Sequence, residues 1–198
     1  HFGKGQIAKI KDEVPADARV LITYGGGSIK KNGVFDQVAQ ALDGVSFIEF
    51  GGIEANPHFE TLMKAVEIVK KENINFILAV GGGSVIDGSK FIAAAARYPN
   101  DPWEIIQTYG AKVTAAVPLG CVLTLAATGS EMNNGAVITK AATQDKLFFF
   151  SEHVQPRFSV LDPETTFSLP ARQTGNGVVD SFVHVVEQYV TYPVNAKV

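Results

Sequence analysis

Short apolar runs alternate with longer amphipathic stretches over the first half of the chain. The runs that predict strands are residues 19–24, 46–50 and 75–80, and the stretches that predict helices are residues 29–42, 58–73 and 84–97. Strands that alternate with helices of about 10 to 15 residues are typical of parallel βαβ units with right-handed crossovers. The pattern therefore predicts an α/β fold with a parallel sheet, but it leaves the order of the strands open.

Beyond residue 100 the pattern is less regular. Short strands are predicted at residues 115–119, 136–139, 146–150 and 158–161, with room for a hairpin among them, and residues 120–135 are predicted to form a loop. A last helix is predicted from about residue 171 to residue 189. Valine and phenylalanine surround its polar positions, so we expect this helix to be largely buried.

Three consecutive glycines follow the third predicted strand. Gly81, Gly82 and Gly83 precede Ser84, which stands where a helix N-cap is expected. Glycine lets the backbone approach a phosphate closely, and the free N–H groups and positive end of a helix favour an anion. The turn therefore predicts a site for the pyrophosphate of a dinucleotide. The alternative is a βα turn that uses glycine only for tightness.

A second turn of the same kind follows the first predicted strand. Gly25, Gly26 and Gly27 are followed by Ser28, and Lys30 and Lys31 stand close by. A site for NAD commonly carries an acidic residue on the ribose 2′-hydroxyl, and this turn has none. Glycine N–H groups, a hydroxyl and lysines suit a 2′-phosphate, so the turn favours NADP(H). Alternatively, the lysines form an ordinary solvated helix face.

Asp180 and His184 are four residues apart on the last predicted helix. This spacing places both side chains on one face of the helix. A carboxylate and a neutral imidazole are ordinary ligands of a divalent metal. The spacing is equally compatible with an Asp–His hydrogen bond or a surface pair, which is the more common case.

Composition narrows the class of protein. The chain has 198 residues, 46% of them hydrophobic, and a net charge of -3. The sequence lacks the clustered Lys and Arg of a nucleic-acid-binding surface. It also lacks an apolar stretch long enough to span a membrane and the apolar core of a signal peptide. Cys121 is the only cysteine, which fits a cytoplasmic protein with no internal disulfide.

Taken together, these motifs resemble those of the iron-containing (metal-dependent) alcohol dehydrogenases. The resemblance is carried by VGGGSVIDGSK at 80–90, TLAATGSEMNNGAVIT at 124–139, VLDPE at 160–164 and NGVVDSFVHVVEQY at 176–189. A closer likeness, to the NADPH-dependent aldehyde reductases and butanol dehydrogenases, is carried by ITYGGGSIKKNGVFDQV at 22–38 and FGGIEANP at 50–57.

The resemblance implies roles for individual residues. The pyrophosphate turn is matched by Gly82, Gly83, Ser84 and Asp87. Positions that line the cofactor cleft are matched by Asn56, Thr124, Thr128, Asn133 and Lys146. Gly26 stands where members that prefer NAD have an aspartate. Asp180 and His184 match two of four ligands of a divalent metal, iron or zinc.

The resemblance also implies a fold and an activity. It implies a Rossmann-like, dehydroquinate synthase-like nucleotide-binding domain over residues 1–168, followed at 169–198 by the first helix of an all-helical metal-binding domain. It implies metal-assisted hydride transfer between NADP(H) and a small aldehyde or alcohol, in a homodimer. Family members continue for about as many residues again and supply two more histidine ligands. We therefore expect this chain to be a fragment that by itself holds the metal weakly and is inactive.

Two alternatives remain. One is another enzyme of the same fold, a glycerol dehydrogenase or a dehydroquinate synthase, against which the missing acid at Gly26 and the NGVVDSFVH helix argue. The other is a nucleotide-binding module without turnover.

Overall fold

A computed structural model describes residues 1–193 and gives the secondary structure of that part of the chain. The strands are β1 (Arg19–Thr23), β2 (Ser46–Phe50), β3 (Phe76–Gly82), β4 (Leu119–Leu125), β5 (Gly135–Lys140), β6 (Asp145–Phe150) and β7 (Ser159–Val160). The α-helices are α1 (Ile10–Glu13), α2 (Ser28–Lys31), α3 (Val34–Ala41), α4 (Phe59–Lys71), α5 (Gly83–Arg97), α6 (Trp103–Gln107) and α7 (Ala171–Thr191). Short 3-10 helices lie at Gln6–Lys9, Ser130–Met132, Glu152–Val154 and Pro163–Thr166.

Five of the strands form one parallel sheet in the order β2-β1-β3-β4-β7. Leu21 of β1 lies between Ile48 of β2 and Ile77 of β3. The predicted parallel α/β fold is confirmed. The chain passes from β1 to β2 at one edge of the sheet and then to β3 on the other side of β1. The strand order therefore reverses direction between β1 and β3. In sheets of this kind, ligands bind in the crevice that opens at the carboxyl ends of the strands at this point.

Residues 20–22 of β1 and 76–80 of β3 are apolar and buried because helices cover both faces of the sheet. Leu21, Ile77 and Ala79 pack with α4 and α5 on one face. Val20 and Leu78 pack with α1 and α3 on the other face. The buried sheet thereby provides a rigid base for the turns that follow β1 and β3.

The predicted hairpin is confirmed as β5 and β6, which pair antiparallel with Val137 opposite Phe148. This hairpin stands apart from the parallel sheet and packs against α5. Its place beside α5 brings the loop that precedes β5 close to the start of that helix.

Three predicted boundaries were wrong. The predicted helix at 29–42 is divided into α2 and α3, because Gly33 between them adopts a left-handed conformation with φ of 79°. The predicted strand at 115–119 is β4, which begins at Leu119 and continues to Leu125, into the first part of the predicted loop. Gly120, the first residue of the predicted loop, lies in β4 beneath the ring of Phe158, where a side chain would not fit.

The predicted N-cap at Ser84 was also wrong, because α5 begins one residue earlier. Gly83 is the first residue of the helix, and Gly82, with an extended backbone, occupies the N-cap position. The third glycine of the turn is therefore part of the first helical turn.

Helix α7 is confirmed at the predicted position, but the expectation that it is buried was wrong. Val178, Phe182 and Tyr189 are 67%, 68% and 80% exposed. The sequence shows that this helix is apolar, but an apolar side chain is buried only where another surface packs against it. The boundary near residue 168 and the metal-binding domain at 169–198 remain predictions, and residues 194–198 lie outside the described part. Within residues 1–193, none of the helices has the length and apolarity required to cross a bilayer.

Candidate functional site

The two glycine turns lie side by side at the switch point of the sheet. β1 and β3 are neighbours, with Thr23 paired to Ala79, so the segments that follow them leave the same edge. The sheet thus brings together the predicted residues of both turns, which are Gly25, Gly26, Ser28, Gly82, Gly83 and Ser84.

The start of α5 forms one wall of this crevice. The first turn of an α-helix has backbone N–H groups without helical acceptors, and α5 is 15 residues long, so its positive end is well developed. The end of β4 and the loop after it lie against the start of α5: a β-carbon on Gly82 would come within 3.3 Å of Leu125 Cβ, and one on Gly83 would overlap the Thr128 hydroxyl. Glycine at both positions allows the loop and the turn to pack together.

The turn after β1 is open to solvent. Gly26 is exposed, and a β-carbon placed on it would have no heavy atom within 4 Å. Gly27 has φ of 86°, a left-handed conformation that glycine adopts without strain. A substituent at Gly26 therefore projects freely into the space that this turn borders.

A carboxylate from the neighbouring strand stands close to this turn. Glu49 of β2 accepts a hydrogen bond from the Tyr24 hydroxyl at 2.9 Å and pairs with Lys30 Nζ at 2.5 Å. The hydrogen bond from Lys30 lowers the pKa of Glu49, and the same bond raises the pKa of Lys30. Sequence reasoning missed Glu49, although an acid near the end of the second strand is the usual signal of a ribose-binding group.

Three predicted cofactor residues form a connected chain. Lys146 Nζ donates to Asn56 Oδ1 at 2.8 Å, and the Asn56 backbone N–H donates to Ser84 Oγ at 3.3 Å. Asn56 has φ of 55°, a left-handed conformation that asparagine tolerates better than most residues. The chain links the hairpin, the loop after β2 and the start of α5 around one side of the crevice.

Asp87 and Asn133, also predicted to serve the cofactor, have internal partners. The Asp87 carboxylate accepts hydrogen bonds from the Ser130 hydroxyl and from the Val137 backbone N–H, and burial raises its pKa. Asn133 Oδ1 accepts from Lys90 Nζ at 2.9 Å. Sequence reasoning missed Lys90, although a lysine within an alanine-rich buried helix was a signal that it needed acceptors.

A cleft of about 830 Å³ lies between the loop after β4 and α7. Thr124 stands near the carboxyl end of β4, half-buried, and Thr128 is exposed on the loop. Ala126 and Ala127 line one side of the cleft, and Asp180 lines the other. The cleft therefore places a predicted metal ligand across from the loop that borders the glycine turn.

Asp180 and His184 share a face of α7, as their spacing predicts. The Asp180 Oδ2 to His184 Nε2 distance is 3.6 Å, and their side chains are 53% and 62% exposed. One carboxylate and one imidazole at this separation fit a divalent metal as two of its ligands. Among the residues that the structure describes, no group of three or more His, Cys, Asp or Glu side chains converges to complete such a site.

Comparison with known proteins gives matches along the whole chain. The family model "Iron-containing alcohol dehydrogenase" matches residues 1–163. The NADPH-dependent aldehyde reductase YqhD of Escherichia coli is 63% identical over 199 aligned positions, and the alignment covers 100% of this chain and 51% of the reductase. The crystal structure of E. coli YqhD superposes with a TM-score of 0.94 over 98% of this chain and 50% of that structure.

A more distant relative is the probable NADH-dependent butanol dehydrogenase 1 of Bacillus subtilis. It is 49% identical over 191 aligned positions, and the alignment covers 95% of this chain and 49% of that protein. The chain thus spans about half the length of the relatives it matches.

Proposed function

The chain belongs to the iron-containing alcohol dehydrogenase family, and on that premise we propose that it forms the cofactor-binding part of an oxidoreductase. The proposed reaction interconverts small aldehydes and primary alcohols by hydride transfer with NADP(H). The proposal extends to the residues of the site, to a cytoplasmic location and to a homodimer, the assembly that the family resemblance implies.

The observation that carries the proposal is the pair of glycine turns at the switch point. The first turn of α5 directs N–H groups at the crevice, and the turn after β1 lies beside it. A dinucleotide laid across the ends of β1 and β3 would place its pyrophosphate at Gly82–Ser84 and its adenosine ribose at Gly25–Ser28. Its other end would then extend toward Thr124 and the cleft beside α7.

The groups near Gly26 suit a 2′-phosphate. The turn itself has no carboxylate, and Glu49, the nearest one from β2, is neutralised by Lys30. Gly25, Gly26 and Ser28 offer N–H groups and a hydroxyl to a phosphate. The name of the E. coli relative specifies NADPH and that of the B. subtilis relative specifies NADH, so we rest the preference on these residues.

Asp180 and His184 are the proposed ligands of a divalent metal, iron or zinc. When bound, such an ion supplies Lewis acidity to the oxygen of an aldehyde or alcohol substrate. The contribution of this chain is to hold the cofactor along the sheet edge and to present the two ligands across the cleft from the loop after β4. The substrate would occupy the space between them.

The second candidate function, for the chain by itself, is dinucleotide binding without turnover. Two observations favour it: the described residues supply two candidate ligands on one helix, and the apolar side chains of that helix are exposed. A site with two protein ligands holds a metal weakly, because structural and catalytic sites generally use three or four.

The test of the proposed function is hydride transfer to an aldehyde by the natural protein in which this sequence occurs. Butanal and NADPH are mixed with that protein and one divalent metal at a time, and NADPH oxidation and butanol formation are followed together. Equal amounts of NADPH consumed and butanol formed would support the proposal. Tight NADPH binding without butanol formation under any metal would contradict it.

A further inference from the structure

Lys90 places an ammonium group inside the domain. Its side chain is 0% exposed, in the middle of α5. Nζ donates to the backbone oxygens of Asn133 and Gly135 at 2.8 and 2.7 Å, to Asn133 Oδ1 at 2.9 Å and to Ser130 Oγ at 3.3 Å. All of these acceptors belong to one segment, residues 130–135, which leads from the loop after β4 into β5. This segment provides the partners that a buried cation requires.

Asp87, one helical turn earlier on α5, holds the same segment from a second direction. Its carboxylate accepts from the Ser130 hydroxyl and, at 2.9 Å, from the Val137 backbone N–H. Ser130 is 2% exposed and contacts both charged side chains. The buried Lys90 and Ser130 therefore form, with the half-buried Asp87, a network that fastens the entrance of β5 to α5.

The fastened segment continues directly to the cofactor crevice. The Ser130 backbone N–H lies 3.4 Å from Thr128 Oγ1 and donates to it. Thr128 in turn covers Gly83, the first residue of α5. The position of Thr128 over the helix start thus depends on Ser130, and through Ser130 on Lys90.

Packing alone does not require a charge at this position. A methionine of similar length fills comparable space, and replacing a buried charge by an apolar group of similar volume is often neutral or stabilising. Lysine adds hydrogen-bond donors that are directed at oxygens of residues 130–135. Within this segment the pairing of β5 with β6 begins only at Gly135. The charge therefore serves to fix the loop rather than to fill the core.

We infer that Lys90 is a positioning residue for the dinucleotide: by fastening residues 130–135 to α5, it sets where Thr128 lies against the pyrophosphate turn. The inference rests on the proposed function, since it gives Lys90 a part in the cofactor site. Lys90 acts through the loop, from beneath the site. Its contribution should be the same for NADPH and NADH, because the 2′-phosphate is recognised at the other turn.

The test compares Lys90→Met with the unmodified chain and with Lys64→Met, which removes an exposed lysine from α4. Amide hydrogen exchange without cofactor reports on the loop, and calorimetric titrations report on NADPH and NADH. In Lys90→Met we expect the amide exchange rates of residues 128–135 to rise about tenfold. The dissociation constants of NADPH and NADH should rise by about the same factor, as for the loss of a hydrogen bond to a charged group. The ratio of the two constants and the far-UV circular dichroism should not change, and Lys64→Met should match the unmodified chain.

Each result has a definite meaning. A folded Lys90→Met chain with unchanged exchange in residues 128–135, or with unchanged affinities, would overturn the inference. A weaker affinity for NADPH alone would overturn it too, because Lys90 would then serve the 2′-phosphate. If Lys90→Met does not fold, Ser130→Ala decides by the same readouts. An unmodified chain that binds neither dinucleotide would overturn the proposed function, and the exchange data would still decide whether Lys90 fastens the loop.

Discussion

Gly83 and Thr128 are in such close contact that the threonine hydroxyl occupies the space of a Gly83 side chain. Gly83 opens α5, and Thr128 lies in the loop after β4. The third glycine of the turn is therefore required by the loop above it, in addition to any ligand. This contact couples two of the predicted cofactor segments.

The contact predicts the effect of Gly83→Ala. Alanine in place of glycine favours a helix by about 1 kcal/mol, so any loss must come from the collision with Thr128. Overpacking of this kind costs about 1–3 kcal/mol, and the displaced loop should weaken NADPH binding about tenfold or more. Calorimetric titration and thermal unfolding of the variant measure both effects.

A second substitution provides the control. Thr128→Ala removes the colliding atoms and leaves Cβ, which lies 3.4 Å from the added methyl group. The double variant should therefore bind NADPH as Thr128→Ala alone does. If Gly83→Ala weakens binding equally in the presence and in the absence of the Thr128 side chain, the collision is not the cause.

Cofactor preference is tested at Gly26. Because the position is open and its backbone is not left-handed, Gly26→Asp introduces a carboxylate without a clash. Repulsion of a 2′-phosphate should weaken NADPH binding about tenfold or more and leave NADH binding unchanged or tighter. Gly26→Asn, which has the same shape without the charge, should change either affinity far less. An equal loss in both variants would show that size, and not charge, matters at this turn.

The sequence predicted the parts of this site more completely than their arrangement. The strand, glycine and helix signals around Gly25 and Gly81 are local, so both turns were predictable. Their adjacency was not, because the order of the strands depends on which edges pair. Glu49 was missed for the same reason: it approaches Lys30 only because β2 lies beside β1.

The wrong expectation that α7 is buried has a related physical origin. The sequence shows the chemical character of a side chain but does not show its neighbours. The apolar pattern of α7 predicted burial, yet Phe182 is 68% exposed in the described part of the chain. The assignment of Asp87 to the pyrophosphate turn stays a prediction, and the sequence did not show that its carboxylate accepts hydrogen bonds from Ser130 and Val137.

The pH dependence of stability should reveal the buried state of Lys90. Burial lowers the pKa of Lys90 from 10.5 to about 8, because loss of solvation outweighs the attraction of the Asp87 carboxylate. Between these two values the unfolded chain retains a proton that the folded chain has released, so the free energy of unfolding rises with pH. Below pH 8 both states are protonated and this dependence ends.

The measurement is urea denaturation of the unmodified chain and of Lys90→Met across this pH range. Because the other titrating groups are common to both, the difference in unfolding free energy isolates Lys90. The difference should rise in favour of the unmodified chain, by up to about 3 kcal/mol. A difference that is flat, or that falls as the pH rises, would show that Lys90 keeps its proton in the folded chain.

The metal ligands are tested by titration of the chain with Zn²⁺. We expect weak, saturable binding that His184→Ala and Asp180→Asn each abolish, because each removes one of two ligands on the shared face of α7. His153→Ala, which removes an exposed histidine elsewhere, should bind like the unmodified chain. All three variants should retain NADPH affinity. Unchanged zinc binding in His184→Ala would identify the pair as an ordinary surface contact.

The central claim is that a dinucleotide lies across the carboxyl ends of β1 and β3, held by the two glycine turns. Backbone amide NMR of the unmodified chain during titration with NADPH tests it most directly. We predict saturation at one NADPH per chain, with the largest shift changes at residues 25–28 and 82–85. The absence of saturable changes, or their concentration away from both turns, would contradict the account.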